Sequence, residues 1–162
     1  MADRANLYDR DFFRWTQEQS AALRRAKDSN LPLDWENLAE EIESLGKSDR
    51  RELRSQMRRV LRHLFKLDSP PAQGPRAGWR STIREARTEI EDVLRDSPSL
   101  QREVSGLVEE ESRVAAELAA GDLNQFGEPM DGITARLDRG GFTAEQVIED
   151  WFPGTGNDVA SA

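Results

Sequence analysis

The chain contains no cysteine. Disulfides, thiolate nucleophiles and Cys-ligated zinc or iron–sulfur sites are therefore excluded. It has a single histidine, His63. No long apolar run occurs, so no stretch is suited to span a membrane. The first residues, "MADRANLYDRDFF", lack the apolar core of a secretory signal. Strand-like alternation and sequence repeats are missing too. So are HExxH, a Glu-x-x-His pair, a Gly-rich phosphate loop and GxSxG. Ser48, Ser55 and Ser81 have no recognisable base and orienter. These absences leave a soluble cytoplasmic protein with no cofactor as the expectation, and they lean against an enzyme.

What is present is a charge-rich chain of 162 residues with 33% charged and 36% hydrophobic side chains. That length suits one domain with a real core. Residues 1–153 are expected to form it, and 154–162, "GTGNDVASA", to be a flexible tail. Four tryptophans and six phenylalanines can fill an interior. The net charge of −8 argues against nonspecific nucleic-acid binding by the molecule as a whole.

The hydrophobic period is helical almost throughout. Phe12, Trp15, Thr16, Gln19, Leu23 and Ala26 share one side of a first helix, which Pro32 stops. A second helix starts near Asp34 with Leu38, Ile42 and Leu45 as its seam. Gly46 reads as its C-terminal cap and Ser48 as the N-cap of the next, giving a bend. Leu53, Met57, Val60, Leu61, Leu64 and Phe65 form the apolar face that follows. A Pro/Gly loop, "DSPPAQGPRAG", precedes a helix carrying Trp79, Ile83, Ala86, Ile90, Val93 and Leu94. Ser97 and Pro98 suit the start of another, carrying Leu100, Val104, Leu107, Val114 and Leu118 to near Ala120. "GDLNQFGEPMDG" breaks the pattern. Thr143 and Gln146 have capping-box spacing at the head of a short last helix. The expected fold is an all-α bundle of about five or six helices.

Charge is segregated within it. Residues 34–46 hold five acids and no Lys or Arg, whereas 47–66 hold eight bases and two acids, net +6. Residues 76–87 add four arginines against Glu85. Most such faces are solvated, or complement one another within a bundle. Projected at about 100° per residue, Glu36, Glu40 and Glu43 point outward, while Glu41 sits beside Leu38 and Leu45. Arg54 lies near one edge of the next apolar arc and His63, with Gln56, near the other. Arg87 falls in the row Ile83–Arg87–Ile90. Glu41, His63 and Arg87 are thus the candidates for semi-burial. A buried carboxylate needs a partner, and a planar guanidinium suits it best. A structural Glu41–Arg87 pair near His63 is the leading expectation. A metal-dependent hydrolytic pocket at Glu41 and His63 is the sharper one, although one histidine makes a thin metal site. Trp15, Trp35 and Trp79 read as core and helix-junction residues. "DWFPG", with Trp151 and Phe152, reads as a segment pinned to the bundle or as a docking peptide.

In order, "LYDRDFFRWTQEQSAALR", "NLAEEIESLGKSDRREL", "HLFK", "GWRSTIREARTEIEDVL" and "DSPSL" resemble a family of cyanobacteria and proteobacteria catalogued as domain of unknown function twenty-nine. The resemblance covers Leu7 to Leu118, and "FTAEQVIEDWFPG" is similar to the way such proteins end. Residues 119–141 depart from the pattern. The family pattern features Glu40, Glu41, Gly46, His63, Lys66, Trp79, Arg80, Ile83 and Arg87. The resemblance implies a helical fold and a bacterial cytoplasmic setting, and no reaction. Together these readings favour a non-enzymatic interaction or regulatory module, with a protein partner or a second copy as its ligand. Binding of RNA or DNA through 47–66 and 76–87, and the metal-dependent hydrolase, are the alternatives.

Overall fold

The computed structural model describes residues 6–69 and 75–154. The fold is all-α, with no strand among the described residues. Its helices are α1 (Leu7–Arg10), α2 (Phe12–Arg25), α3 (Trp35–Asp68), α4 (Arg76–Asp96), α5 (Val104–Gln125), α6 (Asp131–Asp138) and α7 (Ala144–Ile148). Short 3-10 turns follow α2 at Ala26–Asp28 and precede α5 at Pro98–Glu103. None of the described helices is long and apolar enough to cross a membrane. The middle of the expected Pro/Gly loop, and the expected tail beyond Gly154, lie outside the described residues.

The expected bend at Gly46 does not occur. One helix of 34 residues, about 50 Å long at 1.5 Å per residue, runs through both Gly46 and Ser48. Gly46 is buried inside it, and a Cβ there would collide with Thr16 Oγ1 and come within 3.3 Å of Phe13 Cδ2. This glycine serves the close approach of α2, not a helix end. At the other junctions, α4 starts at Arg76, three residues before Trp79, and α5 continues to Gln125.

The described residues group into two compact units. The first comprises residues through Leu53 together with Glu91–Arg102. Asp11 caps α2 by accepting from the Arg14 amide at 3.0 Å. Its carboxylate also takes the Ser99 amide at 2.9 Å and the Ser99 hydroxyl at 2.8 Å. Ser97 stands just before Pro98, which opens the 3-10 turn, and its carbonyl accepts from the Leu100 amide at 3.0 Å, while its side chain is engaged across the unit. Its Oγ accepts from the Phe13 amide at 3.0 Å and donates to Asp49 at 2.9 Å. Burial nonetheless pushes the Asp49 carboxyl above its ordinary range. The buried residues of α2 are Phe13, Thr16 and Ser20, one step round from the expected face. Phe12, Trp15 and Tyr8 form a half-exposed aromatic group with centroids 4.9 to 5.9 Å apart.

The second unit comprises Arg54–Ile90 and the chain from Glu103 on. Met57, Val60, Leu61, Leu64, Phe65, Ile83 and Ala86 are fully buried, as their spacing requires. On α5 the expected register drifts. Val114 and Leu118 are exposed, and the buried face runs instead through Leu107, Glu111, Ala115, Ala119 and Leu123. Glu111 is on that face because Arg58 reaches it at 2.6 Å and Arg54 at 3.4 Å. About three turns further along α5, Asp122 accepts from Arg62 Nε and Nη2 at 2.7 and 2.6 Å and from the Lys66 ammonium at 3.1 Å. The basic row of α3 is thus matched by acids of α5, and these two stretches run in the same direction. Residues 119–141, unreadable in sequence, supply α6. There Gly132 lets the chain pass against Ser69, and Arg136 grips Asp68 bidentately at 2.7 and 2.8 Å. The expected capping box is present at α7, with Thr143 and Gln146 exchanging bonds of 3.0 and 3.2 Å.

Candidate ligand cleft and docking face

Arg87 is buried, but the expected carboxylate partner is replaced by backbone. Its Nε donates to the Val147 carbonyl at 2.9 Å, and Nη2 to those of Gln146 and Trp151, both at 2.8 Å. Three carbonyls converging at and just beyond a helix end suit a planar fork with fixed donors. Burial pushes this guanidinium down to about 10, still charged at neutral pH. Phe152 lies under it at 5.0 Å and is also faced by Arg84 at 5.1 Å and Arg80 at 5.6 Å. The "DWF" segment is therefore held by the arginine row of α4, with Ile83 fully buried beside it in sequence.

Glu41 is exposed, as is Glu40. The expected seam of the second helix is on the outside: Leu38 is 41% exposed and Leu45 50%. Within the first unit, Ala39 and Gly46 are the buried positions there. Leu31 and Leu33, just ahead of α3, are 60% and 50% exposed. The physical reason for the rotated register is the glycine. The face that packs is the one with no side chain at 46, where α2 comes closest, so the larger residues are left outward. Glu43, on the inner edge, is held below the usual carboxylate range by its hydrogen bond from Arg24 at 2.9 Å.

His63 is half-buried on the wall of a cleft of about 740 Å³ in the second unit. Lys66 and Trp79 line the same cleft, so the structure gathers three of the pattern residues here. Lys66 is buried, with its ammonium 4.9 Å from the centre of the Trp79 ring. Trp79 is thus a wall of this cleft and not a core residue. His63 Nδ1 lies 2.8 Å from the Arg59 carbonyl. A carbonyl only accepts, so Nδ1 carries the proton and Nε2 is the remaining acceptor. Burial first, then the charges of Lys66, Arg62 and Arg59, hold the imidazole below its usual value, and the ring is neutral at pH 7. Arg62 and Asp122 line it as well. Leu123, Phe126 and Glu128 are further members of the lining. Apart from the α3 and α4 members and Pro75, the lining comes from the segment that broke the sequence pattern. The recoverable signal was Asp122, an acid placed to answer the Arg62–Lys66 end of the basic row.

The sequence matches the family described as "Domain of unknown function DUF29" over residues 7–152. The chain belongs to the DUF29 family. A crystal structure of an α-helical protein of unknown function from Rhodospirillum rubrum shares its fold, with a TM-score of 0.72 and 25% identity over 90% of each chain. No curated protein matches the sequence. For this DUF29 chain the two alternatives find no support. Among the described residues no group of three or more His, Asp or Glu is placed to hold a metal. Of the cations that would have met nucleic acid, Arg54, Arg58, Arg62 and Lys66 already face Glu110, Glu111 or Asp122, and Arg80, Arg84 and Arg87 face Phe152.

Proposed function

We propose that this DUF29 protein is a non-enzymatic interaction module whose docking face is the exposed apolar row at the start of α3. The observation that carries this reading is the exposure of Leu38 and Leu45 on a helix whose later leucines are buried, with Leu31 and Leu33 exposed just ahead of it. On α3, Trp35, Leu38, Ile42 and Leu45 are spaced by three, four and three, the spacing of a helix–helix seam. Exposed Glu40 and Glu41 and Asp34 rim it. A symmetric second copy would bring acids against acids, which disfavours self-pairing. The charge favours a partner helix with an apolar seam flanked by Lys or Arg.

Calorimetric titration with a synthetic amphipathic helix bearing Leu on its seam and Lys on its flanks tests this. Micromolar binding that weakens with salt and disappears in L38Q/L45Q is expected, with little binding by a Glu-flanked twin. Equal binding of both peptides would overturn the reading. A dimer dissolved by the same double variant would make the second copy the partner.

A further inference from the structure

We propose that the cleft lined by His63, Lys66 and Trp79 binds a small organic monoanion with a flat apolar body, of which an aromatic carboxylate is the simplest member. It lies wholly in the second unit and is independent of the α3 docking face. Its volume of about 740 Å³ suits a small molecule. Trp79, Leu123 and Phe126 offer the flat and apolar contacts, and Phe126 is 78% exposed at the cleft, an aromatic ring without cover. The polar end is cationic. Arg62 and Lys66 share one carboxylate, Asp122, and Lys66 is only 7% exposed. Around Asp122 two cations meet one acid, a local excess of one positive charge, and Glu128, the second acid of the wall, brings the lining as a whole to neutral. One negative charge on the ligand is therefore attracted to Lys66 and Arg62, while a second would meet Asp122 and Glu128. A cationic ligand would meet Lys66, Arg62 and the nearby Arg59.

His63, the single histidine, provides a resolved reporter on the wall by proton NMR. Naphthalene-2-carboxylate is expected to shift its ring resonances saturably, and the isosteric naphthalene-2-carboxamide to bind about 10-fold more weakly. K66Q should lose about 10-fold for the carboxylate. E128Q should gain about 3-fold, because it removes a like charge, and leave the carboxamide unchanged. F126A should lose about 3-fold for both. If K66Q fails to fold, E128Q and F126A carry the test. Equal affinity for the two naphthalenes, no shift up to about 10 mM, or no tightening in E128Q would overturn the proposal.

Discussion

Replacing Arg87 by Ala removes one side chain and leaves three carbonyls that had converged on it. The Val147 carbonyl is buried, and losing a charged donor there costs about 2 kcal/mol. Those of Gln146 and Trp151 are part-buried, so water recovers much of each bond and about 0.5 kcal/mol is lost per site. Loss of the stack on Phe152 adds about 1 kcal/mol. The total is about 4 kcal/mol, a large share of the stability of a domain this size. R87K keeps the charge but not the fork, and should cost about 2 kcal/mol. Urea denaturation followed by tryptophan fluorescence measures both, and limited proteolysis should show earlier cleavage within 144–154. A loss below about 1 kcal/mol in R87A, or an R87K protein as stable as the parent, would refute the claim that this arginine holds the C-terminal segment.

Three further outcomes follow from the packing and charges. G46A, normally stabilising by about 1 kcal/mol in a helix, should instead destabilise by about 1–3 kcal/mol through the clash with Thr16. Adding T16A should recover most of that in a double-mutant cycle by denaturation. D122N should cost about 1–2 kcal/mol at pH 7, discounted because Arg62 is partly exposed. Its hydrogen bond from Arg62 holds the Asp122 carboxyl below its ordinary range, so that stability is present above about pH 4 and fades as pH falls further. The variant should therefore show a shallower acid limb in denaturation across pH. The His63 ring, titrated by NMR, should have a midpoint below about 6.5. A midpoint at or above that value would contradict its desolvated place among Lys66, Arg62 and Arg59.

Where helices bury large side chains at regular intervals, the sequence could be read directly. Met57, Val60, Leu61, Leu64 and Phe65 announced the buried face of α3, and Thr143 and Gln146 announced the capping box of α7. Reading failed where a small residue decides the packing. Gly46 looks like a helix end in one dimension, but it is a contact with α2 in three. That inverted the seam around it, leaving Leu38 and Leu45 outside together with Glu41. On α5 Val104 and Leu107 were read correctly, but beyond them the buried positions are an arginine-paired Glu111, alanines and Leu123, which hydrophobic periodicity passes over in favour of Val114 and Leu118. The cleft and the anchor of the C-terminal segment were half legible. His63 and Arg87 were singled out as half-hidden polar residues, but their partners are carbonyls, which carry no side-chain signal. Asp122, Phe126 and Glu128 lie where the periodicity lapses.

The measurement that bears most directly on the account is the denaturation free energy of L38Q/L45Q. If these leucines form an exposed docking face, the double variant stays within about 1 kcal/mol of the parent while peptide binding is lost. If they were core, as their spacing alone suggests, it would lose about 3 kcal/mol or more per site. A loss on that scale would contradict the proposed interaction face.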